Sequence, residues 1–599
     1  MYTSRYQFFY DEEQKEAVFV KADDLYDDQK GYGFLTEQNR KEQELLQLPE
    51  LNTAFEPWYW LAGQELTVIG ADEKGCFLKS EELIPLSFKC RVPKPGNYEI
   101  TIGVDGGNEG VKDLMIFTGR RRLMERGIDI RPHEIFEESF TVNICDIIPR
   151  GKEEAYEDKT LDVTLIGKNP GISFLEIREA DCPTIFIGGD STLTDQTAAY
   201  PYYPEASYCG WAQMLPVWLK RGIAVSNHAH SGLTTESFRN EGHFDIVRKN
   251  IKKGDYFLMQ FGHNDQKLPH LAASGGYAEN LRAYVKEIQS LGAYPVIITP
   301  IARNTWKGSD GSYNDLLEEF AAACRMVAEE FGIPLLDLHE KSIAFIKSIG
   351  LEDGKRYFFP KDYTHSNDFG AYRMAGFVAE AMKEVKLTFA DEYVKEACAE
   401  WTPPSVIHIP VPPAEFRGAE AALLEVRFTD IEDSPEKEAI MRLTESGVIP
   451  NDDTLFRPEE KITRAEALAY IIKAVSFVPT NVYNDMYTDV IGHEWYAGTV
   501  ECAYQNDIVD PALIEGREFR PEKHVTVEEL VSFCVNAYKS RKMLKEIPES
   551  ALEKEAAAWA RPYIRTASYL GFLKGSSQLE SCVTREEAAA MIERLRDSV

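Results

Sequence analysis

Several features that mark other classes of protein are scarce in this sequence. No apolar run approaches the roughly 18 residues that a transmembrane helix needs, so we expect no membrane insertion. The ten cysteines form no Cys-x-x-Cys pair and follow no regular spacing, which argues against a zinc knuckle and a dense disulfide framework. We therefore expect reduced, mostly buried cysteines that pack as small hydrophobic residues.

Basic residues are also too few to balance the acidic ones. The sequence has 66 Lys and Arg against 98 Asp and Glu, a formal net charge of −32. This excess repels polyanions, so we expect no nucleic-acid partner and no binding to anionic membrane surfaces. Residues 1–13 lack a basic segment followed by an apolar core, so no secretory signal is predicted. Together with reduced cysteines, this slightly favours a cytoplasmic location.

The most informative segment is a buried-strand pattern that ends at a serine. The apolar run 185–187 leads through two glycines to Asp190 and Ser191. A strand that stops in this way presents a nucleophile at the edge of a sheet. Three later segments supply what such a serine needs, at 231–232, 262–265 and 362–365.

The residue types in these segments fit nucleophilic acyl chemistry. A serine hydroxyl needs a base such as His365, and Asp362, three residues earlier, would fix the tautomer of that histidine. The oxyanion formed on attack needs preplaced donors. The candidates are the backbone N–H groups of Ser191 and Gly232 and the side-chain amide of Asn264. Such a site needs neither a metal nor an organic cofactor.

The candidate residues also have purely structural interpretations. Asp362 could cap the helix expected to start near Phe369, and Asn264 could hold a turn. We interpret His263 as a structural neighbour. A loose histidine cluster has no Cys or carboxylate at ligand spacing, so we predict no metal site there. Its members are His228, His230 and His243.

The motifs resemble those of the SGNH/GDSL hydrolases, and within them the rhamnogalacturonan acetylesterase group of carbohydrate esterases. The matching residues are 189–192, 210–211, 227–232, 261–265, 299–300, 362–367 and 370–371, within roughly 183–388. The resemblance implies a flavodoxin-like α/β/α domain at 183–390. It implies Ser191 as nucleophile, His365 as base and Asp362 as its partner. Ser191, Gly232 and Asn264 would form the oxyanion hole.

The resemblance implies removal of acetyl groups from pectic glycan, with rhamnogalacturonan as the first expectation. One position departs from it, since the family often carries Gly-Arg-Ser where this chain has Gly232-Leu233-Thr234. The change leaves the hole intact but removes a cation that could contact an acidic sugar. The alternatives are an esterase for acetylated xylan or sialate, a short-chain lipase, and a non-catalytic glycan-binding protein.

Periodicity supports the same fold. Apolar runs at 184–187, 256–260, 295–299 and 334–338 alternate in part with amphipathic stretches at 276–291 and 316–331. This alternation predicts a parallel sheet covered on both faces, with ligands bound beyond the carboxyl ends of its strands. Arg303 follows one such end and is either a substrate contact or a solvated surface arginine.

The first 180 residues are predicted to be β-rich. Segments 98–102 and 161–165 alternate apolar and polar residues, the pattern of half-buried antiparallel strands. The region resembles the galactose-binding-like sandwiches that precede some esterases of this group. Trp58, Tyr59 and Trp60 are either a sugar-stacking platform or core aromatics, and we favour the core.

The C-terminal part contains an internal repeat beyond a proline-rich linker at 391–424. Segments 462–466, 525–529 and 583–587 correspond, with their threonines 63 and 58 residues apart. Thr-x-x-Glu before an apolar helix is a capping box, so we predict three stacked helical units over 425–599.

These units resemble S-layer homology repeats, most closely in the first copy. The resemblance implies that Arg464 and Arg585 help to bind anionic secondary cell-wall polysaccharide, whereas Val527 replaces the arginine of the second copy. The alternative is a purely structural or oligomerising unit. Wall binding would place the protein at the cell surface, which conflicts with the cytoplasmic expectation above.

Overall fold

The structure of the protein is a computed structural model. It describes residues 2–37, 59–62, 67–80, 82–148, 154–306, 312–360, 362–405, 428–450, 454–477, 479, 486–490, 494–542, 544, 547–548, 552–573 and 578–599. The chain forms two compact units. One comprises Met1–Asn304 and Asp315–Phe416, and the other comprises Thr305–Asn314 and Arg417–Val599. The domain boundaries given above stay predictions.

The N-terminal region is an antiparallel β-sandwich. In chain order its strands are β1 (Thr3–Gln7), β2 (Val18–Phe19), β3 (Tyr32–Leu35), β4 (Trp60–Ala62), β5 (Ile69–Ala71), β6 (Cys76–Leu78), β7 (Leu86–Arg91), β8 (Gly96–Asp105), β9 (Val111–Thr118), β10 (Arg122–Ile130), β11 (Ile135–Ile144), β12 (Thr160–Lys168) and β13 (Gly171–Glu179). One sheet has the order β11-β8-β13-β1-β2, with β6 and β5 extending from β13, and the other has the order β10-β9-β12-β7-β3. All of these neighbours pair antiparallel except β1 and β2.

Aromatic rings from the two sheets meet between them. Phe8, next to β1, lies edge-on to Phe88 of β7, with 4.8 Å between the ring centroids. The two predicted strands are β8 and β12, and their antiparallel pairing is confirmed. Half-burial is wrong for β12, because Asp162 and Thr164 on its polar face are buried as well.

A parallel sheet follows the sandwich in the same unit. Its strands are β14 (Thr184–Gly189), β16 (Ala224–Asn227), β17 (Tyr256–Gln260), β18 (Tyr294–Ile298) and β19 (Leu335–Leu336), in the order β16-β14-β17-β18-β19. This 2-1-3-4-5 order is flavodoxin-like and confirms the prediction. The short β15 (Ala198–Tyr200) pairs in parallel with β4, and these two strands form a sheet of their own.

Helices cover both faces of this parallel sheet. They are Trp211–Met214, Ser237–Asn240, His243–Asn250, Ala278–Ser290, Glu318–Phe331, Leu338–Gly354, Asp368–Glu384 and Ala390–Tyr393. Ile185 and Ile187 of β14 join one hydrophobic cluster, while Phe186 between them joins another, on the opposite face. The first cluster is continuous with the sandwich core, so the sandwich and one face of the parallel sheet share a single core.

The C-terminal unit is mainly α-helical, as the repeats predict. Among its described residues, the helices are Lys437–Glu445, Arg464–Ala474, Ala497–Gln505, Val527–Lys539, Arg561–Leu570 and Arg585–Ser598. Short β-bridges join each copy to the next, as Thr463↔His524, Thr526↔Cys582 and Lys461↔Thr584. Because the last bridge returns to the first copy, the three copies close into a ring.

Several smaller expectations can be compared with the structure. The ten cysteines are free and seven are buried. Trp58 lies outside the described residues, but Trp60 is 1 % exposed and packs edge-on to Phe117 and Tyr202, so the sugar platform is wrong for it. Within the described ranges, no helix combines the length and apolar character that crossing a bilayer requires. Part of the predicted linker packs on the first unit, with Trp401 against Phe369.

Candidate active site

Ser191 lies in a tight turn directly after β14. Gly189 ends the strand where a Cβ would come within 2.6 Å of the Gln260 carbonyl oxygen, so a side chain does not fit. The Asp190 carboxylate accepts hydrogen bonds from the backbone N–H and the hydroxyl of Thr192, at 2.9 and 2.7 Å. This arrangement closes the turn and leaves the Ser191 side chain at the carboxyl end of the sheet.

A continuous line of hydrogen bonds joins the serine to the predicted histidine and aspartate. Ser191 Oγ lies 2.9 Å from His365 Nε2, and His365 Nδ1 lies 2.8 Å from Asp362 Oδ2. A carboxylate can only accept, so Nδ1 carries the proton and the lone pair of Nε2 faces the serine. The three residues therefore have the geometry of a nucleophile, its base and the orienting acid.

Asp362 also shapes the turn that carries His365. Its Oδ1 accepts the backbone N–H groups of Thr364 and His365, at 2.7 and 2.9 Å. Burial by itself would raise the pKa of Asp362, but the bonds from His365 and Thr364 outweigh it and lower that pKa. The helix-cap alternative for Asp362 is wrong, because Asn367 caps helix Asp368–Glu384 by accepting the N–H of Gly370 at 3.0 Å.

Two aromatic rings that the sequence reasoning missed support the histidine. The Tyr208 ring lies edge-on to the His365 ring, with 5.9 Å between centroids, and stacks on Phe359 at 3.6 Å. Burial, reinforced by Asp362, raises the pKa of Tyr208, so its hydroxyl stays protonated. No sequence signal marks these residues, since Tyr208 and Phe359 lie outside the motifs.

The predicted oxyanion donors come from neighbouring loops. Gly232 has φ +87°, and a Cβ built there would meet no heavy atom within 4 Å, so its backbone faces open space. Asn264 Nδ2 donates to the carbonyl of Leu233 at 3.0 Å, which ties the two loops together. On its other side, Lys267 Nζ donates to Asn264 Oδ1 at 3.0 Å. A cation therefore contacts the side chain predicted to meet the oxyanion.

His263 and Arg303 lie beneath this surface. His263 is 2 % exposed, with Nδ1 3.3 Å from Asp190 Oδ2, which fits the structural interpretation. Burial lowers the pKa of His263 even though the Asp190 carboxylate acts to raise it. Arg303 is 3 % exposed and its Nη2 donates to the His263 carbonyl, so the solvated-surface alternative is wrong for Arg303.

The remaining histidines do not form a charged cluster. Burial lowers the pKa of His228 and of His243 to about 3, so both side chains are neutral at neutral pH. Among the described residues, the group whose atoms could hold a metal is Asp315, Glu318 and His339. His339 already bonds to Asp315 through Nε2 and to the Pro300 carbonyl through Nδ1, each at 3.0 Å, so both ring nitrogens are satisfied.

In the repeats, the predicted polymer-binding arginines face neighbouring copies. Arg464 is buried and forms a bidentate pair with Glu529 of the second copy, at 2.7 and 3.1 Å, which corrects the expectation of an accessible ligand. Arg585 of the third copy pairs with Glu466 of the first at 2.6 Å. Its side chain is 15 % exposed and lines a cavity of about 410 Å³ beside Trp495.

The predicted capping boxes are present in only two of the three copies. Thr463 with Glu466 and Thr584 with Glu587 form complete boxes. Thr526 accepts the N–H of Glu529, but the Glu529 side chain turns to Arg464 and Lys523 instead of returning to Thr526.

Comparison with known proteins agrees with this geometry. The GDSL-like Lipase/Acylhydrolase family matches residues 188–371, and the S-layer homology domain matches 427–468. The chain is 32 % identical over 223 residues to rhamnogalacturonan acetylesterase RhgT of Bacillus subtilis (strain 168), covering 35 % of this chain and 94 % of RhgT.

A second relative extends further along the chain. This relative is the uncharacterized esterase YxiM of Bacillus subtilis (strain 168). The chain is 26 % identical to YxiM over 396 residues, which are 63 % of this chain and 90 % of YxiM. The crystal structure of the YxiM protein aligns with a TM-score of 0.34 at 25 % identity, over 64 % of this chain and 98 % of that one. The chain thus belongs to the GDSL-like lipase/acylhydrolase family, carries an S-layer homology domain, and is a carboxylic ester hydrolase.

Proposed function

We propose that this protein is a serine esterase that removes O-acetyl groups from pectic glycan, with rhamnogalacturonan as the substrate. Ser191 is the nucleophile, His365 the general base and Asp362 the residue that orients it. The observation that carries the proposal is the unbroken line of hydrogen bonds from Ser191 Oγ through His365 to Asp362.

The chemistry proceeds in two halves. Ser191 Oγ attacks the acetyl carbonyl carbon as His365 Nε2 takes its proton, and the N–H groups of Ser191 and Gly232 with the Asn264 amide stabilise the oxyanion. Collapse breaks the ester bond, and His365 returns the proton to the departing sugar hydroxyl. Water then attacks the acetyl-serine, with His365 again as base, and acetate leaves as the serine is restored.

Asp362 supports this cycle through its charge. Its lowered pKa keeps the carboxylate ionised near neutral pH, where it stabilises the imidazolium that forms in each half. The same group holds the backbone of the turn, so the orientation of His365 does not depend on the substrate.

Two cations near the site favour an acidic sugar. Leu233 lies in the core and supplies no charge, but Lys267 stands next to Asn264 at the exposed surface. We propose that Lys267 contacts a galacturonate carboxylate and that Arg303 adds positive charge from below. The name of RhgT supports the same polymer.

The accessory regions carry two further proposals. The cavity beside Arg585 and Trp495 is proposed to hold secondary cell-wall polysaccharide, because it combines a cation with a ring that is 65 % exposed. The N-terminal sandwich is proposed to be of the galactose-binding-like class, as its two antiparallel sheets suggest.

The test is acetate release from acetylated rhamnogalacturonan beside acetylated xylan. We compare the wild type with Ser191→Ala and with Ser290→Ala, an exposed serine remote from the site. We expect release from the pectic polymer to fall at least about a thousandfold in Ser191→Ala and to be unchanged in Ser290→Ala. Full activity in Ser191→Ala contradicts the mechanism, whereas release from xylan alone contradicts only the polymer.

A further inference from the structure

Three consecutive arginines stand at the tip of one sandwich hairpin. Arg120 and Arg121 lie between β9 and β10, Arg122 begins β10, and all three are buried although the chain carries an excess of acid. Arg121 adopts φ +54°, a left-handed backbone that is uncommon for a residue with a Cβ. Such a conformation persists where surrounding contacts hold it. The three side chains reach across to the hydrolase sheet.

Arg121 binds the segment that carries the histidine. Its guanidinium donates to both carboxylate oxygens of Asp368, at 2.6 and 3.2 Å, and neither side chain is exposed. Asp368 begins the helix that follows the His365 turn. The same guanidinium donates to the Tyr208 carbonyl at 2.7 Å, and the Tyr208 ring packs on His365. One buried cation thus fixes two neighbours of the histidine.

Arg120 and Arg122 bind the segments that carry the serine and Gly232. Both approach Asp195 Oδ2, at 3.3 and 3.1 Å. Asp195 Oδ1 in turn accepts from Asn227 Nδ2 at 2.8 Å, and that amide also donates to the Leu193 carbonyl at 2.8 Å. Leu193 lies two residues after Ser191, and Asn227 ends the strand that leads to Gly232.

These contacts have a common consequence. The line of hydrogen bonds from Ser191 to His365 joins two segments far apart in sequence, and one rigid hairpin holds both of them. Bidentate arginine pairs are geometrically specific, and in a buried site they cannot be exchanged for water. The hairpin and the hydrolase also share one hydrophobic core, so the hairpin does not move as an independent module.

We infer that Arg120, Arg121 and Arg122 are positioning residues for the esterase, which makes the N-terminal sandwich a structural part of the active site. The inference rests on the proposed roles of Ser191 and His365. The arginines touch no reacting atom. They set the distance between Ser191 Oγ and His365 Nε2, and a displacement of about 1 Å in such a pair costs about a hundredfold in turnover.

The test uses the full chain with Arg121→Met, Arg121→Lys and the matched control Arg131→Ala. Arg131 follows the same hairpin strand, but its side chain is 86 % exposed. For each variant we measure kcat and KM on p-nitrophenyl acetate, the rate at which a fluorophosphonate modifies Ser191, and thermal unfolding.

We expect kcat and the modification rate to fall by about 10- to 100-fold in Arg121→Met, with KM within twofold of the wild type. Arg121→Lys keeps the charge opposite Asp368 but loses the fork geometry, so it should recover part of kcat. Arg131→Ala should match the wild type. If Arg121 had only a structural role, its replacement would lower the unfolding temperature, but the protein that remains folded would keep the wild-type kcat.

The outcomes separate this inference from the proposed function. A folded Arg121→Met protein with wild-type kcat overturns the positioning role while Ser191 still reacts with the fluorophosphonate. A wild-type protein whose Ser191 does not react contradicts the proposed function itself. If Arg121→Met does not fold, the positioning role is tested with Arg121→Lys and Asp195→Asn. A wild-type kcat in both of these variants overturns the inference.

Discussion

Arginines with little or no exposed side chain join structural elements in both units of the chain, but the elements that they join differ. In the repeats, Arg464 and Arg585 each reach the glutamate of another copy of the same motif. In the first unit, Arg121 links a hairpin of one fold to a helix of another, across 247 residues of sequence. The first arrangement is a contact that recurs between copies of one motif, and the second joins two different folds.

The two junctions differ in whether they can lose their arginine. The second copy has Val527 where the other copies have arginine, yet the backbone N–H of Val527 still donates to the Ser581 carbonyl. The backbone N–H groups of Arg464 and Arg585 make the equivalent bonds, to the carbonyls of Lys523 and Glu460. The ring is thus closed by backbone contacts that need no arginine. At the hairpin junction the Arg121 side chain itself donates to Asp368 and to the Tyr208 carbonyl, so these contacts depend on the guanidinium.

The largest effect is expected from Arg464→Met in the repeats. It leaves Glu529 buried with Lys523 as its remaining cationic partner among the described residues, and breaking a buried pair costs about 3 to 5 kcal/mol. Denaturant unfolding of the repeats would measure this loss, while kcat should stay at the wild-type value. The control is Arg442→Met, which removes a half-exposed arginine that pairs with Glu438 and Glu593. A loss under about 1 kcal/mol would show that this junction also relies on its backbone.

A smaller effect is expected when the missing arginine is restored. Val527→Arg places a guanidinium where it can reach Glu587, which would complete the ring of pairs. We expect a gain of about 1 kcal/mol in the free energy of unfolding, the net value of one hydrogen-bonded pair. Val527→Met is the control for added length without charge. If both variants are equally stable, the charge contributes nothing at this position.

A buried carboxyl that lies opposite a lysine provides the third comparison. Asp162 of β12 lies opposite Lys89, and burial raises the pKa of Asp162 from an ordinary value of 3.8 to about 7. Its bound proton therefore stabilises the fold fully below pH 3.8, and this contribution is lost as the pH rises through 7.

Between pH 6 and pH 8 the loss should be about 1 kcal/mol. Urea unfolding at both pH values should show this change in the wild type and lack it in Asp162→Asn. Asp129→Asn, at an exposed carboxyl paired with Lys112, should keep the wild-type pH dependence. If the stability of Asp162→Asn depends on pH as strongly as that of the wild type, another group is responsible for the titration.

Local spacing explains which parts of the site could be predicted. Asp362 and His365 share one turn, so their separation alone allows the 2.8 Å contact. Glycines also carry local information, since Gly232 has a left-handed φ that few other residues adopt. The helices 278–290 and 318–331 follow from amphipathic periodicity, and their predicted bounds differ from the observed ones by two residues or fewer at each end.

The remainder depends on packing between distant segments. Strand Ala224–Asn227 was not predicted, because two apolar residues followed by Ser and Asn give no strand signal, although it is fully buried. The partners of Arg121 lie between 75 and 247 residues away in sequence, so no short window of sequence contains both. The residues around Arg464 in the sequence do not show whether its side chain is accessible or buried. Its contact with Glu529 depends on how the copies pack against one another.

The single hydrophobic core that runs from the sandwich into the hydrolase has an evolutionary consequence. A domain that is joined through a flexible connection can be exchanged between genes, because neither side carries the other's packing residues. Here the two folds have interlocking interiors, so a crossover between them would leave two incomplete cores. We expect the sandwich and the hydrolase to be inherited together, with recombination falling on the C-terminal side of both.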